Sequence, residues 1–253
     1  RRLPDRSPGD TEVFQLAVVG QGQHPQGIAA ARDLKHAGGG ADAALEAMAD
    51  HPAPGAYGVG MLFLSHEDSR RALVEKAVEA VVAEHGQTFL GWRTVPVNPQ
   101  TLGKTALKCM PCIRQAFIQK SADLTDDLAF ERRLYLIRKV AEHRLRYAET
   151  AQAGDFYAAS LSCRTIVYKG MLLARQVGEL YIDLSDLDYT TAIALVHSRY
   201  STNTFPSWER AHPNRYTIHN GEINTIHGNQ KRMNARQTGI HTDIFGEDVT
   251  RVF

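Results

Sequence analysis

Cysteine is scarce: the 253 residues hold only Cys109, Cys112 and Cys163. That is too few for a disulfide framework, and the odd count points to a reducing compartment. An excess of charge of one sign is also missing. Lys and Arg number 29 against 28 Asp and Glu, a net charge of +1, which removes the electrostatic case for binding nucleic acid or an anionic membrane surface. No apolar run approaches the ~20 residues of a membrane-crossing helix. Residues 1–10 are charged and contain proline, with no apolar segment of signal-peptide length behind them. Together these absences predict a cytoplasmic protein. The sequence does not begin with Met, so residue 1 is not expected to be the natural start.

The residues that are present describe an ordinary globular chain, 43% hydrophobic and 23% charged, long enough for one or two domains. After a charged tail, Phe14 to Val19 reads as a short strand and Asp42 to Ala49 as an Ala-rich helix. Tyr57 to Leu64 is a continuous apolar run, the pattern of a strand buried on both faces, and its glycines allow a neighbour to approach closely. Ser65 and Asp68 have capping-box spacing ahead of Leu73, Val74, Ala77, Val78, Val81 and Val82, which predicts an amphipathic helix ending at Gly86. Strands are expected over Thr88 to Val97, broken by Pro96, and over Ile113 to Ile118, with a loop through Gly103 and Pro111 between them. Asp126 to Tyr147 reads as a long helix whose late basic residues complement its dipole. Phe156 to Leu161 and Thr165 to Tyr168 read as a hairpin, Met171 to Val177 as a short helix closed by Gly178, and Ile193 to Val196 as a strand. Arg215 to Ile218 is expected as a strand and Glu222 to Ala235 as a helix interrupted at Gly228. Helices and strands are segregated rather than alternating, which predicts an α+β fold of sandwich layers.

Several motifs carry little chemistry. Gly38-Gly39-Gly40 lacks the Lys-Ser/Thr of a phosphate-binding loop and reads as a connection. Cys109-Met110-Pro111-Cys112 has the spacing of a redox dithiol or half a zinc site, but no second pair completes it, so both thiols are read as small buried hydrophobes. The histidines show no metalloprotease spacing and are read as structural or hydrogen-bonding groups. The informative region runs from His197 to Trp208 and from His219 to Thr225. Arg199 emerges where an apolar strand ends, and its planar fork can hold a carboxylate through two parallel hydrogen bonds, with Thr202 and Asn203 beside it. Asn220-Gly221 can be a plain turn, or can aim an amide and a backbone N–H at a developing oxyanion. Spacing alone permits either.

His197-Ser-Arg-Tyr-Ser-Thr-Asn-Thr-Phe-Pro-Ser-Trp208, Ala211-His-Pro213 and His219-Asn-Gly-Glu-Ile-Asn-Thr225 closely resemble the glutamine amidotransferase domain of the glutamate synthase large subunit. The resemblance extends through Tyr57-Gly-Val-Gly-Met61, Leu90-Gly-Trp-Arg93, Phe130 to Lys139 and Ser162 to Leu172. It implies a four-layer αββα sandwich of the N-terminal nucleophile type over residues 54–253, following a divergent segment 1–53. It further implies hydrolysis of the glutamine side-chain amide by an N-terminal cysteine, with ammonia passed to 2-oxoglutarate. On this resemblance Arg199, Thr202, Asn203 and Glu222 bind substrate, while Asn220 and Gly221 form the oxyanion hole. No cofactor is expected in this domain; FMN and an iron–sulfur cluster are expected elsewhere in the subunit. Expected partners are the remaining synthase domains and a small NAD(P)H-oxidising subunit or ferredoxin. Two departures stand out. The family's opening Cys-Gly-Val-Gly-Phe is not found, and Lys35-His36-Ala37-Gly38-Gly39-Gly40 stands where His-Arg-Gly-Ala is expected. The family's Ser-Asp segment, which supplies a carboxylate for the substrate's amino group, is expected beyond Phe253. A domain that keeps the fold as an inactive binding module is the alternative these departures raise.

Overall fold

The computed structural model describes residues 56–146, 155–187, 189, 191, 193–198, 205–212, 214–217 and 226–252, together with the backbone of 14–19. Within them the chain forms β1 (Phe14–Val19), β2 (Tyr57–Leu64), α1 (Asp68–Glu84), β3 (Thr88–Thr94), α2 (Lys104–Lys108), β4 (Cys112–Gln119) and α3 (Asp127–Arg146). There follow β5 (Phe156–Ser162), β6 (Thr165–Gly170), α4 (Gln176–Leu180), β7 (Ile193–His197) and α5 (Ile226–Gln237). The strands make two antiparallel sheets, one of four in the order β3-β4-β2-β5 and one of three in the order β6-β1-β7. This is the α+β class. The Ala-rich segment at 42–49 lies outside the described residues. Among the described residues no helix is long and apolar enough to cross a membrane.

β2 is buried along its whole length because it is an inner strand of the larger sheet and both its faces are covered. The pleat sends alternate side chains to opposite sides. Tyr57, Val59, Met61 and Phe63 join Ile166, Val167 and Tyr168 of β6 in the core between the sheets. Leu62 and Leu64 join Val74, Val78, Val81 and Val82 of α1 and Phe130, Leu134 and Ile137 of α3 on the helical side. Gly58 is required there, since a Cβ at that position would collide with the Leu134 side chain.

Several expectations are corrected. The N-cap of α1 is Glu67, which makes no capping hydrogen bond with its side chain; Ser65 instead accepts the Glu67 N–H at 3.1 Å. Leu73, counted as an apolar-face position, is 55% exposed, and Leu128 at the start of α3 is 54% exposed. α2 lies within the segment expected as a loop, and the short helix near 171–177 is shifted to α4, with Gly178 inside it. α5 runs over Ile226–Gln237 and passes through Gly228 without a break, while the expected start at Glu222 lies outside the described residues. Residues 214–217 form no strand, whereas Ile218 lies outside the described residues.

β5 and β6 are not a hairpin: β5 pairs with β2 and β6 with β1, so Ser162-Cys163-Arg164 carries the chain from one sheet to the other. The turn is held from α3. Glu131 Oε1 accepts the Ser162 hydroxyl at 2.7 Å and the Cys163 N–H at 2.6 Å, while Ser162 Oγ accepts the N–H groups of Arg164 and Thr165, each at 3.0 Å. Side-chain acceptors here replace the ladder that a hairpin would have supplied.

Candidate functional site

The two motif-bearing segments are attached to one end of the three-stranded sheet. Phe14 of β1 lies opposite Gly170, the last residue of β6, and Gln15 lies opposite His197, the last residue of β7. The chain therefore enters β1 at the end where β6 and β7 finish. From there β7 leads within two residues to Arg199. Arg199, Thr202, Asn203, Asn220, Gly221 and Glu222 themselves lie outside the described residues. The structure defines the frame on which the segments that carry them are mounted.

The first segment is anchored just beyond Asn203. Trp208 is 3% exposed. Its ring packs flush against Gly170, where any Cβ would collide with it, and meets Phe63 edge-on at 6.1 Å. Its indole N–H donates to the Ala106 carbonyl of α2 at 3.1 Å, so the polar tip of the buried ring is satisfied. Next to it, Lys169 on β6 is 1% exposed. Its Nζ donates to the Glu209 carbonyl at 2.8 Å and contacts the Tyr157 hydroxyl at 2.6 Å. The ammonium also sits 4.4 Å from the Tyr157 ring centroid. Burial drives the Lys169 pKa down to about 7, with the Arg215 guanidinium adding to the shift.

The second segment is anchored ahead of Asn220. Ala211 is fully buried and His212 nearly so. His212 holds a positive φ of 36°, uncommon for a residue with a Cβ. Its ring stacks on His197, with centroids 4.0 Å apart and planes 16° from parallel, and its Nε2 lies 3.0 Å from the Thr217 carbonyl. Arg215, expected in a strand, reaches across instead and donates from Nε to the Ala159 carbonyl at 2.9 Å and from Nη2 to the Ala158 carbonyl at 2.5 Å. Ala159 is the residue skipped in the pairing of β5 with β2, where Met61 faces Ser160 and Leu62 faces Ala158. The guanidinium thus satisfies a carbonyl at a bulge that disrupts the ladder.

Neither Cys112 nor Cys163 is set up as an activated nucleophile. Burial raises the pKa values of Cys112 and Cys163, and the Glu131 carboxylate raises that of Cys163 further. Cys109 is exposed, contrary to its reading as a buried hydrophobe, and its Sγ lies 3.5 Å from Met171 Sδ. Cys112 interacts with Arg71 and Arg114 on the helical side of the sheet, so the two thiols serve different surroundings. A cleft of about 250 Å³ also opens between α3 and residues 214–216. Its guanidinium groups are already engaged, Arg138 with Glu142 and Arg215 with the β5 carbonyls.

Comparison with known proteins identifies the family. A model described as class-II glutamine amidotransferases matches residues 41–253. The chain belongs to the class-II glutamine amidotransferases. Among its relatives, the glutamate synthase [NADPH] large chain of Bacillus subtilis (strain 168) is 53% identical over 196 residues, covering 78% of this chain and 13% of that protein. Ferredoxin-dependent glutamate synthase 1, chloroplastic/mitochondrial, of Arabidopsis thaliana is 42% identical over 189 residues, covering 74% of this chain and 11% of that protein. Glutamate synthase [NADH] of Schizosaccharomyces pombe is 41% identical over 203 residues, covering 78% and 9% respectively. The amidotransferase chain therefore spans only about a tenth of the length of these enzymes. Lys169 carries much of the anchoring but was not singled out from the sequence, whereas His212, read there as a structural or hydrogen-bonding group, stacks on His197 and reaches the Thr217 carbonyl. A lone lysine between Tyr168 and Gly170 at the end of an apolar strand is the signal that would have found it.

Proposed function

We propose that this chain is the glutaminase unit of a glutamate synthase large subunit, releasing ammonia from glutamine for transfer to 2-oxoglutarate. The observation that carries the reading is the pairing of 53% identity to a glutamate synthase large chain with a strand, β7, that ends at His197, two residues before Arg199, where His212 of the segment leading to Asn220 stacks on it. Arg199, helped by Thr202, Asn203 and Glu222, holds the substrate in place, with the guanidinium on the α-carboxylate. A cysteine thiolate, supplied at a processed N-terminus rather than by Cys109, Cys112 or Cys163, attacks the side-chain carbonyl. Asn220 and the Gly221 N–H stabilise the oxyanion of the tetrahedral adduct. Collapse of the adduct expels the amide nitrogen as ammonia after it takes a proton, leaving a thioester. Water then cleaves the thioester to glutamate and regenerates the thiol.

On this reading the FMN and iron–sulfur cluster belong to parts of the parent beyond this chain. The donors named for the three relatives differ although each aligns along most of it; a small NAD(P)H-oxidising subunit or ferredoxin is a partner of those other parts. In an active full-length parent, Arg199→Ala should raise the KM for glutamine about 30-fold, the loss of a charge-assisted interaction of ~2 kcal/mol, while ammonia-dependent synthesis is retained. Equal loss of both activities would make Arg199 structural. Absence of both turnover and covalent capture by a glutamine-mimicking electrophile would favour the inactive binding module.

A further inference from the structure

We propose that the stacked pair His197 and His212 is a positioning element that holds the Arg199 segment and the Asn220 segment in register with each other. The proposal rests on the roles given to Arg199 and Asn220 above and adds what couples them. His197 ends β7 and stands two residues before Arg199. His212 lies on the other segment and is 6% exposed. The rings are 4.0 Å apart and nearly parallel, so a face of one segment rests directly on a face of the other. The Nε2 of His212 then reaches the Thr217 carbonyl at 3.0 Å, three residues before Asn220. A continuous path of stack and hydrogen bond therefore joins the strand end that launches the carboxylate clamp to the backbone that launches the oxyanion hole. The positive φ of 36° at His212 shows that the backbone is held in an uncommon conformation where it presents this ring.

The consequence is specific to glutamine chemistry. Substrate carboxylate and reacting carbonyl sit at the two ends of one small molecule, so the distance between clamp and oxyanion hole must match it. A misplacement of ~1 Å can cost about a hundredfold in rate. If the stack sets that distance, disturbing either ring harms both binding and turnover. If the segments are independent, His197 affects only the clamp and hence KM, and His212 only the oxyanion hole and hence kcat.

The test uses the full-length parent, with glutamine hydrolysis, ammonia-dependent synthesis and thermal unfolding measured side by side. His197→Ala and His212→Asn, the latter chosen because Asn tolerates positive φ, should each raise the KM for glutamine about tenfold and lower kcat about tenfold. The double variant should be no worse than the more damaged single, because both remove one shared contact. His197→Phe, which restores an aromatic face, should recover activity to within about threefold of the parent. Ammonia-dependent synthesis and the unfolding midpoint should move little. If His197→Ala fails to fold, His197→Gln removes the ring with less loss of volume and takes its place. A KM effect confined to His197 with a kcat effect confined to His212, multiplying in the double variant, would overturn the proposal. Absence of glutamine turnover in the unsubstituted parent would instead overturn the functional reading beneath it.

Discussion

Residues 57–181 and residues 193–252 are built on different terms. In the first, β2 is buried along its full length, and Phe130, Leu134 and Ile137 of α3 have no exposed surface. In the second, Ile193 and Val196 of β7 are 45% and 46% exposed, and α5 has no buried residue. The recognition motifs belong to the second. A segment with little core of its own obtains rigidity from a few contacts to a better-packed neighbour, and among the described residues Trp208, Ala211, His212 and Val252 are the buried points where that happens here. Stability should therefore be governed from one region, and geometry at the site from a handful of anchors.

The sharpest way to break this contrast is to remove one large ring from each region. Phe130→Ala and Trp208→Ala should each cost about 3–5 kcal/mol in chemical denaturation, as expected for a buried aromatic. In a catalytically competent parent only Trp208→Ala should also raise the KM for glutamine, because only that ring fixes the segment carrying Thr202 and Asn203. An equal rise in both variants would show that the site is sensitive to stability alone.

A buried ion pair tests how the sheet of the first region is tied to Asp183, two residues beyond it. Arg93 donates to both carboxylate oxygens of Asp183, at 2.8 and 2.6 Å, and also to Gln115 at 2.9 Å. The two side chains are 9% and 7% exposed. Arg93→Met strands a buried carboxylate and should cost about 3 kcal/mol, with Asp183→Asn in the same chain returning part of the loss. Glutamine KM should be unchanged in whatever fraction remains folded. No recovery in the double variant would mean that the arginine acts through packing.

How much of this was legible in the sequence follows the same division. β2 was readable to its exact bounds and β4 within a residue, because apolar runs specify strands wherever both faces are covered. The pairing of β5 and β6 was not, because a short turn between two strands normally makes a hairpin. What separates them is Glu131, more than thirty positions away, which takes the N–H and hydroxyl that a hairpin would have used. Arg215 misled the reading for a related reason: its side chain, not a strand backbone, donates to the β5 carbonyls, and periodicity cannot see a side chain doing that. The motif itself was recognisable from its residues, while the supports beneath it, Lys169 and the His197–His212 stack, are long-range contacts.

Lys169 gives a smaller effect that joins the two regions. Its ordinary value near 10.5 is depressed to about 7 by burial. Between those limits the unfolded chain binds the proton more readily than the folded one, so the difference in bound protons is positive and stability rises with pH. The cost of burying the ammonium is fully in force below pH 7 and fades as pH climbs toward 10. Unfolding free energy measured at pH 7.5, 8.5 and 9.5 should rise by about 1 kcal/mol per unit relative to Lys169→Met, which has nothing to titrate. A parallel pair of pH profiles would show that the ammonium is better solvated than its surroundings imply.

The smallest effect is expected on the exposed side of the well-packed region. Arg144 donates to both oxygens of Glu84, at 2.9 and 2.6 Å, linking α3 to α1. Geometry as good as that of Arg93 and Asp183 would suggest a similar contribution, yet the side chains are 41% and 50% exposed. Water already solvates both charges, and holding two long side chains in one arrangement costs entropy, so Arg144→Ala should change stability by about 0.5 kcal/mol or less and leave KM unaltered. The contrast between the two arginines separates burial from bond geometry within one region. A loss at Arg144 as large as that at Arg93, measured in the same denaturation experiment, would mean that the helix–helix contact rather than the sheet core limits the stability of residues 57–181.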